Sequence, residues 1–479
     1  MKKNLYITTT IPYVNAPPHI GHACELVQAD AIARYARLRG KSVRFQTGTD
    51  ENAFKNVLSA RAVGIPVKQL VDQNSERFRS LCEVLSIAYD QFVRTSESSH
   101  FSAVQTFLSR LKSDDVYTQE YRGLYCNGCE DFFQERDLVN GACPDHSAPV
   151  TEISETNHFF RLSHYEHPLR ELIASRRIQI VPETREAEVL RFIDRGLTDI
   201  SLSRNAERSA GWGVPFPNDN DQVVYVWIDA LVNYLSGLGY PNGEHYQRFW
   251  EANVDRTHII GKNVWKFHAI YWPALLLSAG LKVPDKIFVH GFLTNDGQKI
   301  SKSSGTATDP TIYVDEFGVD AVRYFLLRHT HPFDDTDFSA TRLAEVYDAD
   351  LANGLGNLCS RLTKLAESVG LALPNNAEEP LSPANLDEYV DQFRCDLALE
   401  VLWTEVRQLN QLLSSERPWT DIKAGQLDLA REKLKRVAGR LRDTSYWLAP
   451  FLPATARIIY QSLSEQPIRK CEPLFPRGA

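Results

Sequence analysis

The first fifty residues constrain the fold more than any other stretch. Leu5 to Thr9 is a short β-rich run, and Asn15-Ala16-Pro17-Pro18 forces an irregular loop after it. Ala23 to Arg39 then sets Val27, Ala31, Tyr35 and Leu38 on one helical face before Gly40 stops the helix. Ser42 to Gln46 reads as a second strand that leads into Gly48-Thr49-Asp50. Strand, helix, strand is a βαβ opening, which belongs to a parallel sheet whose ligands sit at the C-terminal ends of its strands.

The remaining chain organises around that sheet. Helical patterning continues to about Lys112, and between about 118 and 220 the texture turns to short irregular pieces rich in Tyr, Cys, Asp, Pro and Gly. Strand-like runs resume with Val223 to Trp227, His258 to Ile260 and Ile287 to Leu293. A sheet broken off and later resumed points to an insertion domain. From about 345 onward the chain reads as helical, and Leu399, Leu402, Val406, Leu409 and Leu413 form the core stripe of a bundle helix. Arg431 to Arg442 holds six basic residues and one acid, a run expected to be a solvated helix face.

Composition removes several classes of function. With 479 residues, 43% apolar and 24% charged, the chain is neither disordered nor a single small core. The longest apolar run, Ala269 to Leu277, is short and broken by Pro273, so no membrane segment is expected. The basic start gives way to threonines and a proline before a signal-peptide core can form. A net charge of −8 argues against indiscriminate nucleic-acid binding while leaving room for a local basic footprint. Eight cysteines are too few for a disulfide scaffold, so a reducing, cytoplasmic setting is expected. Methionine occurs once, at Met1, a scarcity explained either by drift or by tolerance of scarce methionine or of oxidation.

Three motifs carry chemistry. Pro18-His19-Ile20-Gly21-His22 places two imidazoles at a helix N-terminus, where unpaired N–H groups favour phosphate, and Gly21 admits a flat group close to the backbone. Cap and surface histidines would use the same residues. Lys299-Ile300-Ser301-Lys302-Ser303-Ser304-Gly305 follows a strand, and its lysines and hydroxyls suit a clamp on a polyphosphate; a plain basic surface loop has the same composition. Both motifs at their places in one interrupted parallel sheet are a far stronger sign than either alone. Cys126-Asn127-Gly128-Cys129 and Cys143-Pro144-Asp145-His146 are paired knuckles with the spacing of one tetrahedral, structural Zn²⁺ site, or of a degenerate knuckle that has lost its metal. Cys24, Cys82, Cys359, Cys395 and Cys471 are scattered and read as small buried hydrophobes.

At these motifs the chain resembles the class I aminoacyl-tRNA synthetases, with Ile300 where their second motif usually has methionine. Within that class it is similar to the methionyl-tRNA synthetases. Thr10-Ile11-Pro12-Tyr13-Val14-Asn15, Val226-Trp227-Ile228-Asp229-Ala230-Leu231 with Tyr234, and His258-Ile259-Ile260-Gly261-Lys262 with Phe267-His268 carry the likeness, which runs nearly end to end. The resemblance implies an α/β fold: a Rossmann-like parallel-sheet catalytic domain, a zinc-bearing insertion and a C-terminal all-α anticodon-binding helix bundle. Boundaries follow as catalytic halves at 1–116 and 222–294, a connective insertion at 117–221, a lysine-loop and stem-contact region at 295–345, and the helical domain at 346–479.

The implied activity is ATP-dependent activation of L-methionine and its transfer to tRNA(Met), with Mg²⁺ accompanying ATP. His19, Gly21, His22, Lys299, Ser301, Lys302 and Ser303 would serve ATP. Ile11, Tyr13, Asp50, Trp227, Ala230, Leu231, Tyr234 and His268 would hold methionine, with His268 facing the sulfur or hydrogen-bonding Tyr13. Cys126, Cys129, Cys143 and His146 would bind zinc, and Asn357, Arg361 and Trp419 would read the anticodon. A monomer is expected, because the chain stops where the family's core stops.

Three positions depart from the family pattern. Asn52 and Ala53 stand where His-Gly is usual, and Asn263 stands where an aspartate is usual. These departures leave open a specialised relative that activates methionine or a similar amino acid in a biosynthetic or stress role. A noncatalytic tRNA-binding regulator on the same fold is a further alternative.

Overall fold

The computed structural model describes residues 4–126, 131–133, 135, 138–144, 149–295, 298–299, 309–374 and 379–476. Packing divides the chain into two units: Met1–Pro18, Gly40–Ser80 and Tyr89–His290 form the first, and His19–Arg39, Leu81–Ala88 and Gly291–Ala479 the second.

The first unit is built on a parallel sheet. Its strands are β1 (Asn4–Thr8), β2 (Ser42–Thr49), β3 (Gln91–Arg94), β7 (Gln179–Val181), β12 (Val254–Gly261) and β13 (Lys286–His290), in spatial order β3-β2-β1-β12-β13-β7. Every neighbouring pair is parallel. Leu5-Tyr6-Ile7, Ile259-Ile260 and Ile287-Phe288-Val289 are buried without alternation, the pattern of a parallel sheet covered on both faces. Strand order reverses between β1 and β12, so the C-terminal ends of these two strands flank the crevice where such sheets bind ligands.

The stretch read as an insertion contains an antiparallel sheet made by β4 (Val116–Cys126), β5 (Asp131–Phe133), β6 (Thr151–Phe160) and β8 (Ile200–Ser201), in order β5-β4-β6-β8. The long pair β4–β6 runs in register from Val116↔Phe160 to Tyr125↔Thr151. The same stretch also supplies β7, the edge strand of the parallel sheet, whose three residues are too few to show a period.

The run Val223 to Trp227 is not the parallel strand expected from sequence. Asp219–Val224 (β11) pairs antiparallel with β9 (Ser203–Asn205) and β10 (Pro215–Phe216) in a separate small sheet. From Val226 the chain is helical to Leu231. An apolar run of this length fits a buried strand or a buried helix turn equally well.

In the second unit the helix Ile20–Leu38 packs with Val319–Arg328, and helices Asn357–Ser368, Cys395–Glu416, Leu427–Leu448 and Pro453–Ser464 form the bundle. Leu399, Leu402, Val406, Leu409 and Leu413 are all buried, as the three-and-four spacing requires. Arg323, fully buried, ties these elements together: it pairs with Asp30 at 2.7 Å and donates to the carbonyls of Phe451 (2.9 Å), Leu85 (3.1 Å) and Pro450 (3.2 Å). Four of the six basic residues in the run are paired with carboxylates. Arg431 pairs with Asp428 (2.8 Å), Lys433 with Asp421 (2.7 Å), Arg436 with Glu416 (2.6 Å) and Arg440 with Glu405 (2.8 Å). No helix among the described residues is long and apolar enough to cross a membrane.

Candidate active site

The proposed amino-acid pocket lies at the ends of the central strands of the first unit. Beyond β1 and β2 the chain makes one further parallel bridge, Tyr13↔Asp50. Asp50 N–H donates to the Pro12 carbonyl at 2.9 Å, and Val14 N–H donates to the Asp50 carbonyl at 3.3 Å. The backbone of buried Asp50 is thereby fixed beside the Tyr13 segment, and Lys55 Nζ lies 5.1 Å from the Tyr13 ring centre. Tyr13 and Trp227 meet at 5.8 Å with a 59° tilt, and Trp227 stacks on Phe267 at 3.9 Å and 8°. Ile11 is half-buried, whereas Ala230 and Leu231, one turn beyond Trp227, are buried.

Tyr234 and His268 close the buried side. The Tyr234 hydroxyl is 2.7 Å from His268 Nε2, and His268 Nδ1 is 2.9 Å from the Val264 carbonyl. A carbonyl only accepts, so Nδ1 carries the proton, Nε2 accepts, and Tyr234 donates. Both ring nitrogens of His268 are thus engaged with groups other than the expected Tyr13. His268 sits on the π-helical turn Phe267–Tyr271, a widened geometry that recurs at functional sites.

Behind Tyr234 lies His258, stacked on it at 4.2 Å and fully buried. Register places Thr8 of β1 opposite His258 of β12, and Thr8 Oγ1 is 2.7 Å from His258 Nδ1. His258 Nε2 has no hydrogen-bond partner among the described residues. Burial, followed by the nearby His268 and Arg256, holds the His258 pKa well below the usual histidine value. This imidazole is neutral.

The departure at Asn52 falls within a buried polar network. Asn52 Nδ2 donates to Asp229 Oδ2 at 2.7 Å and to the Thr95 carbonyl at 2.9 Å. Asp229 Oδ1 lies 2.6 Å from His100 Nε2, and His100 Nδ1 lies 2.7 Å from Ser236 Oγ. The network anchors the short helix that presents Trp227, Ala230 and Leu231. Asn52 therefore supplies a hydrogen-bond donor at its unusual position. Next to it, Glu51 receives Arg94 through two hydrogen bonds of 2.7 and 2.9 Å and Thr49 Oγ1 at 2.8 Å. His100 went unrecognised in the sequence because it is 129 residues from its partner Asp229 and belongs to no motif. Asn263 is exposed in the turn after β12, while Ala53 is buried at the start of helix Phe54–Val63.

In the second unit, His19 and His22 cap the helix Ile20–Leu38. His19 Nδ1 accepts from Gly21 N–H at 3.1 Å, and His22 Nδ1 accepts from His19 N–H at 3.1 Å. With both Nδ1 atoms accepting, the proton of each neutral ring is on Nε2. The rings stack at 3.8 Å and 30°, and a Cβ added at Gly21 would meet the His19 ring at 3.0 Å. A larger residue at position 21 would thus press on its neighbour's imidazole. The backbone of Lys299 lies in a two-residue strand paired with β14 (Leu293–Asn295). Its side chain, and Ser301, Lys302 and Ser303, lie outside the described residues.

Cys126 ends β4, and Cys143 follows a tight turn at Asn140-Gly141 closed by the bridge Val139↔Ala142; both thiols are buried. Cys129 and His146 lie outside the described residues, and among those described no group of three or more metal-ligating side chains gathers. On the bundle, Asn357 is exposed at the start of its helix, Arg361 is half-buried one turn on, and its guanidinium lies 5.7 Å from the ring of half-buried Trp419. Trp419 is not a core residue.

Residues 5–152 and 146–363 match the class I tRNA synthetase (M) family. The methionine–tRNA ligase of Caldanaerobacter subterraneus is 39% identical over 97% of this chain and 74% of its own length. That of Mycobacterium bovis is 39% identical over 97% of this chain and 93% of its own. A solved structure of Mycobacterium tuberculosis methionyl-tRNA synthetase in complex with methionyl-adenylate superposes with a TM-score of 0.89, at 38% identity, covering 98% of this chain and 95% of that one. The chain belongs to the methionine–tRNA ligase family of class I aminoacyl-tRNA synthetases.

Proposed function

We propose that this chain activates L-methionine with ATP and passes the methionyl group to the 3′ end of tRNA(Met), through the residues assigned below. The observation that carries the assignment is the aromatic wall of Tyr13, Trp227 and Phe267 beside buried Asp50, within a chain related to methionine–tRNA ligases over 97% of its length. A thioether gains from contact with aromatic rings, and a carboxylate pairs with the substrate ammonium.

In the first step the methionine carboxylate attacks the α-phosphorus of ATP, and the bond to pyrophosphate breaks. In the second, a ribose hydroxyl of the terminal adenosine attacks the adenylate carbonyl and AMP leaves. Neither step needs a covalent enzyme intermediate, so the protein contributes positioning and charge stabilisation. His19 and His22 present Nε2–H donors to phosphate oxygens, fixed in that tautomer by their Nδ1 capping bonds. Lys299 and Lys302, with the hydroxyls of Ser301 and Ser303, take the pyrophosphate charge. Mg²⁺ travels with ATP on phosphate oxygens.

Asn357, Arg361 and Trp419 are assigned to the anticodon, whose unpaired bases are open to stacking and edge contacts. A half-buried indole with a guanidinium nearby supports that role. Cys126, Cys129, Cys143 and His146 are assigned to one structural zinc. Two buried thiols, Cys126 at the end of β4 and Cys143 after the Asn140-Gly141 turn, fit the donor chemistry, and four protein ligands leave the metal no catalytic position. A cytoplasmic monomer completes the proposal.

Methionine-dependent ATP–pyrophosphate exchange, followed by charging of purified tRNA(Met), tests the reading. Exchange with methionine well above norleucine and homocysteine is expected. Preference for another amino acid would favour the specialised relative, and no exchange at all would favour the noncatalytic one.

A further inference from the structure

Among the scattered cysteines, two are neighbours in space. Cys359, on the helix Asn357–Ser368, and Cys471, in the segment after the last helix, lie with their sulfurs 3.4 Å apart. One side chain holds both. The Thr363 hydroxyl donates to the Cys359 carbonyl at 2.8 Å and accepts the Cys471 N–H at 3.2 Å. The surrounding segment is fixed as well: Ile468 N–H donates to the Leu371 carbonyl at 2.8 Å, and the Tyr347 hydroxyl donates to the Pro476 carbonyl at 2.8 Å. A disulfide needs a sulfur separation of about 2.05 Å, so the pair, now 3.4 Å apart, must close by about 1.4 Å.

From this juxtaposition we propose that Cys359 and Cys471 form a reversible, peroxide-driven disulfide site, which fastens the chain end to the helix that carries Asn357 and Arg361. The two sulfurs differ in character. Cys471 is slightly exposed, at 7%, and Cys359 is fully buried. The hydrogen bond from the Cys359 thiol, with help from Thr363, lowers the Cys471 pKa to about 6, whereas that same bond and burial raise Cys359. Burial pushes Cys24 and Cys395 up to about 12, which leaves those thiols inert. Methionine occurs only at Met1, so no internal thioether competes for oxidant.

The chemistry balances with hydrogen peroxide as oxidant. The Cys471 thiolate attacks one peroxide oxygen, the O–O bond breaks, and the leaving hydroxide takes up the proton the Cys471 thiol released, giving one water and a sulfenic acid. The Cys359 sulfur then attacks the sulfenyl sulfur, the S–O bond breaks, and its oxygen departs as a second water with the Cys359 proton. Two thiols are oxidised to one disulfide, and one peroxide is reduced to two waters. A dithiol such as dithiothreitol reverses the bond by exchange.

The test is peptide mapping of the intact, zinc-loaded protein after graded hydrogen peroxide, with thiols blocked under denaturing conditions before digestion. A Cys359–Cys471 cross-linked peptide, lost on treatment with dithiothreitol, is expected at doses that leave Cys24 and Cys395 unmodified. In Cys359→Ser, the Cys471 sulfenic acid should persist and be trapped by dimedone; in Cys471→Ser, Cys359 should stay reduced. Oxidation of Cys471 to sulfinic acid without a cross-link in the wild type would overturn the proposal. So would oxidation of Cys24 or Cys395 ahead of this pair. The wild-type map needs no variant to fold. That the joined helix is the anticodon helix rests on the assignment above, whereas the cross-link does not, and Trp419→Ala charging separates the two.

Discussion

Lowering the pH should act on the pocket through His258. In the folded chain this imidazole is neutral, with Nδ1 beside Thr8, Nε2 without a hydrogen-bond partner among the described residues, and the Tyr234 and Trp250 rings stacked against it. In the unfolded chain it titrates near its ordinary value of about 6.5. Below that value the unfolded state binds one more proton than the folded state, so stability rises with pH and is lost as pH falls. With the folded pKa held well below the ordinary histidine value, moving from about pH 7 to about pH 5.5 should cost up to about 1.2 kcal/mol from this group alone. Urea unfolding of the wild type and His258→Asn at both pH values measures it, since the difference between the two proteins cancels other titrating groups. An equal pH dependence in both proteins would refute the reasoning and show that His258 finds a proton partner in the folded state.

Four further perturbations probe the assigned roles. Cys126→Ser should abolish binding of about one zinc per chain, read by metal analysis, while clean wild-type protein that is active without zinc would remove the site. His22→Ala or Lys302→Ala should slow methionine-dependent pyrophosphate exchange by about 10²–10³ with little change in KM for methionine; a raised KM at normal kcat would reassign them to ground-state binding. Trp419→Ala should weaken tRNA charging by about 1–3 kcal/mol while exchange stays near wild type, and equal losses in both would make Trp419 a structural residue. Asn52→Ala removes the 2.7 Å donor to buried Asp229, costing about 1–3 kcal/mol, and should raise KM for methionine in exchange assays through the Trp227 helix; unchanged KM would detach that network from the pocket.

The sequence is most legible where one physical constraint repeats. Leu399 to Leu413 steps by three and four because one helix face is buried, and all five residues are core. Continuous apolar runs mark the central strands because both sheet faces are covered. Tyr13, Trp227 and Phe267 carry no such repeat. An isolated aromatic looks the same in a core as in a pocket, so only likeness to a family singles them out. Length defeats the pattern elsewhere: Val223 to Trp227 is short enough to be strand or helix, and it contains the end of one and the start of the other. Asn52, Asp229 and His100 meet only through the fold, and no local pattern encodes contacts 129 and 177 residues apart. Cys359 and Cys471 were hidden for the same reason, 112 residues apart.

Strand β7 bears on how the insertion could be removed. The chain leaves the parallel sheet after β3, builds three strands of the antiparallel sheet, and returns to lay Gln179–Val181 along the outer side of β13 before departing to add β8. Cutting out 117–221 would therefore strip the catalytic sheet of its rim. Lys286, Ile287 and Phe288, the residues that β7 pairs, would then lie on an open edge, their backbone amides and carbonyls a template for another chain's strand. A shortened protein meant to stay dispersed should keep Gln179–Val181 and be trimmed within the antiparallel sheet instead. Through β7 this stretch is stitched to the parallel sheet at a second point, so it cannot be excised as one cassette.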